Sequence, residues 1–144
     1  MTVQSGRPFT VALRSDIDNS NTGIASLGFG ANNRPDRLAS GELENPGPEG
    51  WFDAGAFAVA EYGSFGNSGR NILNGPAYVD VSLSLKKDSR IREGLTLQFR
   101  SEFFNAFNHA NLDLPDIFLG SPTFGQILSA QNPRRIQFGL KLIF

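Results

Sequence analysis

The sequence predicts an all-β chain whose antiparallel strands form a partial slice of a large transmembrane β-barrel, with long loops on the extracellular side. Three observations carry this expectation. Among 144 residues there are 16 glycines and 8 prolines, which interrupt helices and favour strands joined by turns. The C-terminal half contains segments in which apolar and polar residues alternate, the period of a strand with two different faces. The connections between segments run long, short, long, as in outer-membrane barrels with short periplasmic turns and longer extracellular loops.

The first strand is expected at about 4–14, where "RPFTVAL" carries Pro8, a residue suited to a sheet edge or a strand start. Residues 15–77 then read as a long loop, with "DIDNSNTG", "GFGANNRPDR", "ENPGPEG" and "FGNSGRNILNGP" supplying turn chemistry. Within it, "WFDAGAFAVAE" suits a short strand or a bit of helix that pins the loop by burying Trp51, Phe52 and Phe57. The second strand, 78–87, sets Val79, Val81, Leu83 and Leu85 against Asp80, Ser82, Ser84 and Lys86. After the polar connection "DSRIREG" comes a third strand, 94–107, with Leu95, Leu97, Phe99 and Phe103 on one face and Thr96, Gln98, Arg100 and Glu102 on the other. A second long loop covers 108–133. The last strand, 134–144, alternates Ile136, Phe138, Leu140, Leu142 and Phe144 with Gln137, Gly139, Lys141 and Ile143. Strands of about 9–11 residues cross a bilayer when tilted, and the last segment has that length.

Composition narrows the function. A net charge of −1 argues against a nucleic-acid surface. The absence of cysteine excludes disulfides, thiol catalysis and thiolate metal sites. No apolar run reaches the roughly 18 residues of a membrane helix, and the N-terminus lacks the pattern of a signal peptide. His109 is the only histidine, without the neighbouring ligands that a metal or catalytic role needs. The acidic run from Asp16 lacks the glycine and distal glutamate spacing of an EF-hand, and "FGNSGRN" lacks the spacing of a dinucleotide loop. No catalytic residue, cofactor or metal site is expected, and an enzyme is the weakest reading.

Four strands cannot close a transmembrane barrel, which needs at least about eight. The chain is therefore expected to be either the C-terminal piece of a longer barrel or a soluble antiparallel β module, adhesin-like or carbohydrate-binding. The stretch from Leu97 to Phe144, with "SGRPFTV", "NRPDR", "WFDAGAF", "FGNSGRNILNGP" and "VDVSLSLKK" before it in order, resembles the C-terminal barrel segment of TonB-dependent outer-membrane receptors. The likeness is to the Oar-like group, which carries an N-terminal carboxypeptidase-regulatory-like domain. That resemblance implies part of a barrel of about 22 strands around a plug, in the cell outer membrane, taking up a siderophore, glycan, peptide or similar solute. Neither the plug nor the TonB box of that family is expected within residues 1–144, so contact with the TonB complex is expected only through N-terminal regions outside this sequence.

The resemblance also implies an assembly signal at Ile136, Phe138, Leu140, Leu142 and Phe144, recognised by the barrel-assembly machinery. The alternation places Arg100, Glu102 and Lys141 toward the lumen, away from outer-membrane lipid, with Arg100 and Glu102 close enough to pair. Trp51 and Phe52 are the aromatic residues to examine as extracellular loop contacts, with loop anchoring as the competing role.

Overall fold

The computed structural model describes residues 1–24 and 32–144. Part of the loop signature "GFGANNRPDR" lies outside the described residues. Among the described residues there is no helix long and apolar enough to cross a membrane. The chain divides into two compact units.

The first unit holds residues 1–5, 77–111 and 131–144. It contains β1 (Thr2–Gln4), β7 (Tyr78–Asp80), β8 (Leu83–Arg92), β9 (Leu95–Phe104) and β11 (Arg135–Ile143). A three-stranded antiparallel sheet has the order β11-β9-β8, so the central strand follows its neighbour β8 directly and meets β11 from the end of the chain. The β8–β9 hairpin closes through Glu93 and Gly94, with Arg92 paired to Leu95 and a register shift between Arg90 and Arg92. Gly94 has φ of +76°, a conformation that a side chain disfavours. The seven-residue connection expected at 88–94 is thus mostly strand: β8 continues to Arg92.

The strand expected at 78–87 is interrupted after Asp80. β7 pairs with β1, Thr2 opposite Asp80, while β8 pairs with β9. The Ala106 N–H donates to the Val81 carbonyl at 2.8 Å, so backbone pairing bridges the interruption. Beyond β9, asparagines replace ladder partners. The Asn111 amide accepts from the Val79 N–H and donates to the Val79 carbonyl, both at 2.8 Å. Asn105 clasps the His109 backbone in the same two-way manner. Asn105 and Asn108 have positive φ, which asparagine tolerates better than most residues.

The second unit holds residues 6–76 and 112–130, most of what the sequence reads as loop. Its strands are two residues each: β2 (Pro8–Phe9) with β6 (Leu73–Asn74), β4 (Asp36–Arg37) with β5 (Phe57–Ala58), and β3 (Ala12–Leu13) parallel to β10 (Phe118–Leu119). The single strand expected at 4–14 is therefore three short ones. Gly6 accounts for one break: a Cβ there would stand 1.8 Å from the Gly75 carbonyl oxygen, so the backbones approach closer than any other residue permits.

Burial of apolar rings holds this unit together. Phe9, Val11, Phe52, Ala56, Phe57 and Leu73 form its core, and the Phe52 ring contacts those of Phe9, Phe57 and Phe124 at 5.7, 5.8 and 5.1 Å between centroids. Asp53 caps the short 3-10 turn Ala54–Ala56 by accepting from the Gly55 N–H, which fixes the approach of Phe52 and Phe57 to the core. Two loop carboxylates organise backbone turns. Desolvation pushes the Asp18 carboxyl up, but hydrogen bonds from the Gly23 N–H, the Asn33 amide and the Ser20 hydroxyl outweigh it and hold it below the ordinary range. Asp116 is likewise raised by desolvation and lowered further by Ser121, Thr123 and the Phe118 N–H.

Candidate functional site

The feature that distinguishes the first unit is a sheet with two chemically opposite faces, both uncovered. Because side chains alternate along each strand, the register determines which residues share a face. On one face, Leu83, Phe103 and Ile136 form a row across the three strands, followed by Leu85, Ser101 and Phe138, then Lys87, Phe99 and Leu140, then Ser89, Leu97 and Leu142. On the other, the rows are Ser84, Glu102 and Gln137; Lys86, Arg100 and Gly139; Asp88, Gln98 and Lys141; and Arg90, Thr96 and Ile143.

The apolar face is not a core. Phe138 is 67% exposed and Leu140 72%, and all residues of β8 and β11 are exposed. The Phe99 and Phe138 rings stack at 6.1 Å, a contact along the surface. A contiguous apolar patch of this kind marks an interaction with membrane or protein, and apolar residues opposite charged ones across strands of bilayer length match the wall of an outer-membrane barrel.

On the polar face, Lys86 and Arg100 stand directly opposite each other, an unfavourable like-charge pair. Each has a carboxylate two residues further along its own strand: Lys86 Nζ lies 3.3 Å from Asp88 Oδ2, and Arg100 Nη2 lies 2.5 Å from Glu102 Oε1. These exposed pairs relieve the repulsion more than they add stability. Arg100, Glu102 and Lys141 share this face, while Ile136, Phe138, Leu140 and Leu142 share the opposite one. Phe144 follows β11 and is 98% exposed.

Lys87 breaks the apolar face, set opposite Phe99. The strand expected at 78–87 contains Lys87, whose face the alternation of 79–86 leaves unassigned, and the extension of β8 to Arg92 adds Ser89 to the same face. A lysine can lie along apolar surface while its ammonium reaches the polar edge. The asparagine clasps at Asn105 and Asn111 were also missed, although "FFNAFNHANL" signals them through its spaced asparagines. His109 Nδ1 lies 3.2 Å from Asn111 Oδ1, within this turn structure.

In the second unit, Phe52 is 3% exposed and so presents almost no ring to solvent. Trp51 is half-buried against the same core, and its indole N–H donates to the Asn74 carbonyl at 2.8 Å. Both aromatic residues thus serve the packing of this unit.

Residues 1–137 match the model of a family described as outer membrane beta barrel domain. No curated protein matches the chain, and no solved structure does. The match covers the compact loop unit, β8 and β9, and β11 as far as Gln137. It places the protein in the outer membrane, in a family of structural and transport barrels rather than catalysts, and the chain belongs to the outer membrane beta barrel domain family.

Proposed function

We propose that the chain is the C-terminal barrel segment of a TonB-dependent receptor of the Oar-like group, taking up a siderophore, glycan, peptide or similar solute. In this reading it contributes barrel wall, extracellular loops and the assembly signal, while energised uptake depends on plug and TonB-binding regions. The observation that carries the barrel part is the two-faced sheet: nine- and ten-residue strands, apolar on one side and charged on the other, with neither side covered. The ordered sequence blocks from "SGRPFTV" to the terminal phenylalanine support the narrower identification. The polar face, with Arg100, Glu102 and Lys141, then borders the lumen, and the apolar face meets lipid. Outer-membrane family membership runs against a soluble adhesin-like or carbohydrate-binding module.

Two experiments test the reading. The genomic frame upstream of the Met1 codon is expected to encode a plug domain continuous with this sequence; a stop codon immediately upstream would exclude the receptor. For the assembly signal, Phe144→Ser in the full coding sequence should leave most of the protein unassembled, measured by heat-modifiable migration of outer-membrane extracts. Assembly equal to the parent would sink the role of Phe144.

A further inference from the structure

The second unit carries a cavity of about 520 Å³, within the range of small-ligand sites. One wall is the β3–β10 pair, where Ala12 stands opposite Phe118, and Ile117 adds to it. The remaining lining is polar: Thr10, Asn32, Arg34 and Arg70. Three of these are held in place. Asn32 Nδ2 donates to the Leu13 carbonyl at 2.8 Å, Arg34 Nη1 to the Ser68 carbonyl at 2.7 Å, and the Thr10 hydroxyl accepts from the Asn71 N–H at 2.9 Å. The last bond also anchors the backbone next to Arg70.

The charge at this cavity is unbalanced. Among the described residues the ion pairs are Arg14–Asp16, Lys86–Asp88 and Arg100–Glu102, so neither cavity arginine has a carboxylate partner. Residues 25–31, Ala-Ser-Leu-Gly-Phe-Gly-Ala, contain no acid that could supply one. By contrast, Arg14 grips Asp16 with two nitrogens. A guanidinium presents a planar fork that fits a carboxylate, and the neighbouring aromatic and aliphatic wall favours an apolar body attached to it.

We propose that this cavity binds a small organic carboxylate, its carboxylate held by Arg34 and Arg70 and its apolar body lying on Ile117 and Phe118. The site goes beyond the barrel-wall reading and does not depend on transport, because binding to this unit is measured directly. The test is titration of the detergent-solubilised protein with benzoate, benzyl alcohol and acetate, followed by calorimetry. Benzoate should bind at least about tenfold more tightly than either of the others, since each lacks one half of the recognised chemistry. The double variant Arg34→Gln/Arg70→Gln should lose at least about tenfold in benzoate affinity, with Trp51 fluorescence unchanged as the check on folding. Benzyl alcohol binding equally well would reduce the site to an apolar surface, and acetate binding equally well would reduce it to unspecific charge. Either result overturns the proposal, as does a double variant that binds benzoate like the parent.

Discussion

The long-strand sheet and the compact loop unit are built from the same alphabet of phenylalanine, leucine, glycine and asparagine, yet they use it in opposite ways. In the sheet, Phe138 and Leu140 stand in a regular row and remain exposed. In the loop unit, Phe9 from β2 and Phe52 and Phe57 from either side of the short 3-10 turn follow no period and are buried. Stability in the first depends on backbone ladders and on what lies against its faces. In the second it depends on rings packed against one another. In the proposed reading, a bilayer supplies for the sheet what the ring cluster supplies internally for the loops.

That contrast can be broken most strongly at the core. Phe52→Ala removes a ring that touches three others and should cost about 3–5 kcal/mol, seen as loss of the near-ultraviolet aromatic signal and early proteolysis within 6–76. The stacked but exposed Phe138 is the matched control. Phe138→Ala leaves no enclosed cavity, and its loss of ring pairing is about 0.5–1.5 kcal/mol; equal effects at the two positions would dissolve the distinction between the units.

The two faces of the sheet offer the next test. Leu140→Arg puts a charge on the proposed lipid face, where it should cost about 2–4 kcal/mol near the midplane. Lys141→Arg, one residue on, keeps charge on the opposite face and should change stability by less than about 0.5 kcal/mol. Urea unfolding in lipid vesicles measures both, and a Leu140→Arg cost as small as that of Lys141→Arg would remove the lipid-face assignment. Arg100→Gln is expected to be smaller than Leu140→Arg: an exposed pair with Glu102 contributes about 0.2–1 kcal/mol, although the variant also relieves the repulsion with Lys86.

Acid should separate the units least strongly but in a fixed direction. Asp18 and Asp116 sit below the ordinary carboxylate value in the folded loop unit. A depressed carboxyl contributes stability that is present above its unfolded value, about 3.9, and is lost as pH falls through the folded value. Amide exchange in the turns at 18–23 and 116–123 should therefore accelerate as pH drops below about 4, after correction for intrinsic rates. Asp116→Asn should flatten the response at 116–123; an unchanged profile would remove that carboxylate from the account.

Much of the sheet was legible in the sequence because strand alternation is local: each residue declares its face by its position relative to the next. The opposition of Arg100, Glu102 and Lys141 to Ile136, Phe138, Leu140 and Leu142 follows from period two alone, as do the existence of β9 and β11. Strand ends were less legible. "DSRIR" has the polarity of a connection, and only pairing with β9 carries β8 through it to Arg92.

The loop unit shows what sequence pattern does not reach. Residues 4–14 read as one strand, but the partners that claim them are distant and separate: Tyr78 for Gln4, Leu73 for Phe9, Leu119 for Leu13. Each pairing pulls a few residues away from a common line, and no local signal records which partner wins. The anchoring role of Trp51, Phe52 and Phe57 was readable from their size and setting, whereas the meeting of the Phe52 ring with Phe9 and Phe124 was not. The cavity between Arg34, Arg70 and Phe118 likewise joins residues far apart in the chain. Sequence alone determined the alternating faces, because that chemistry is written in adjacent residues. Tertiary structure alone decided the core and the cavity, because ring packing and charge balance depend on which distant segments are brought together.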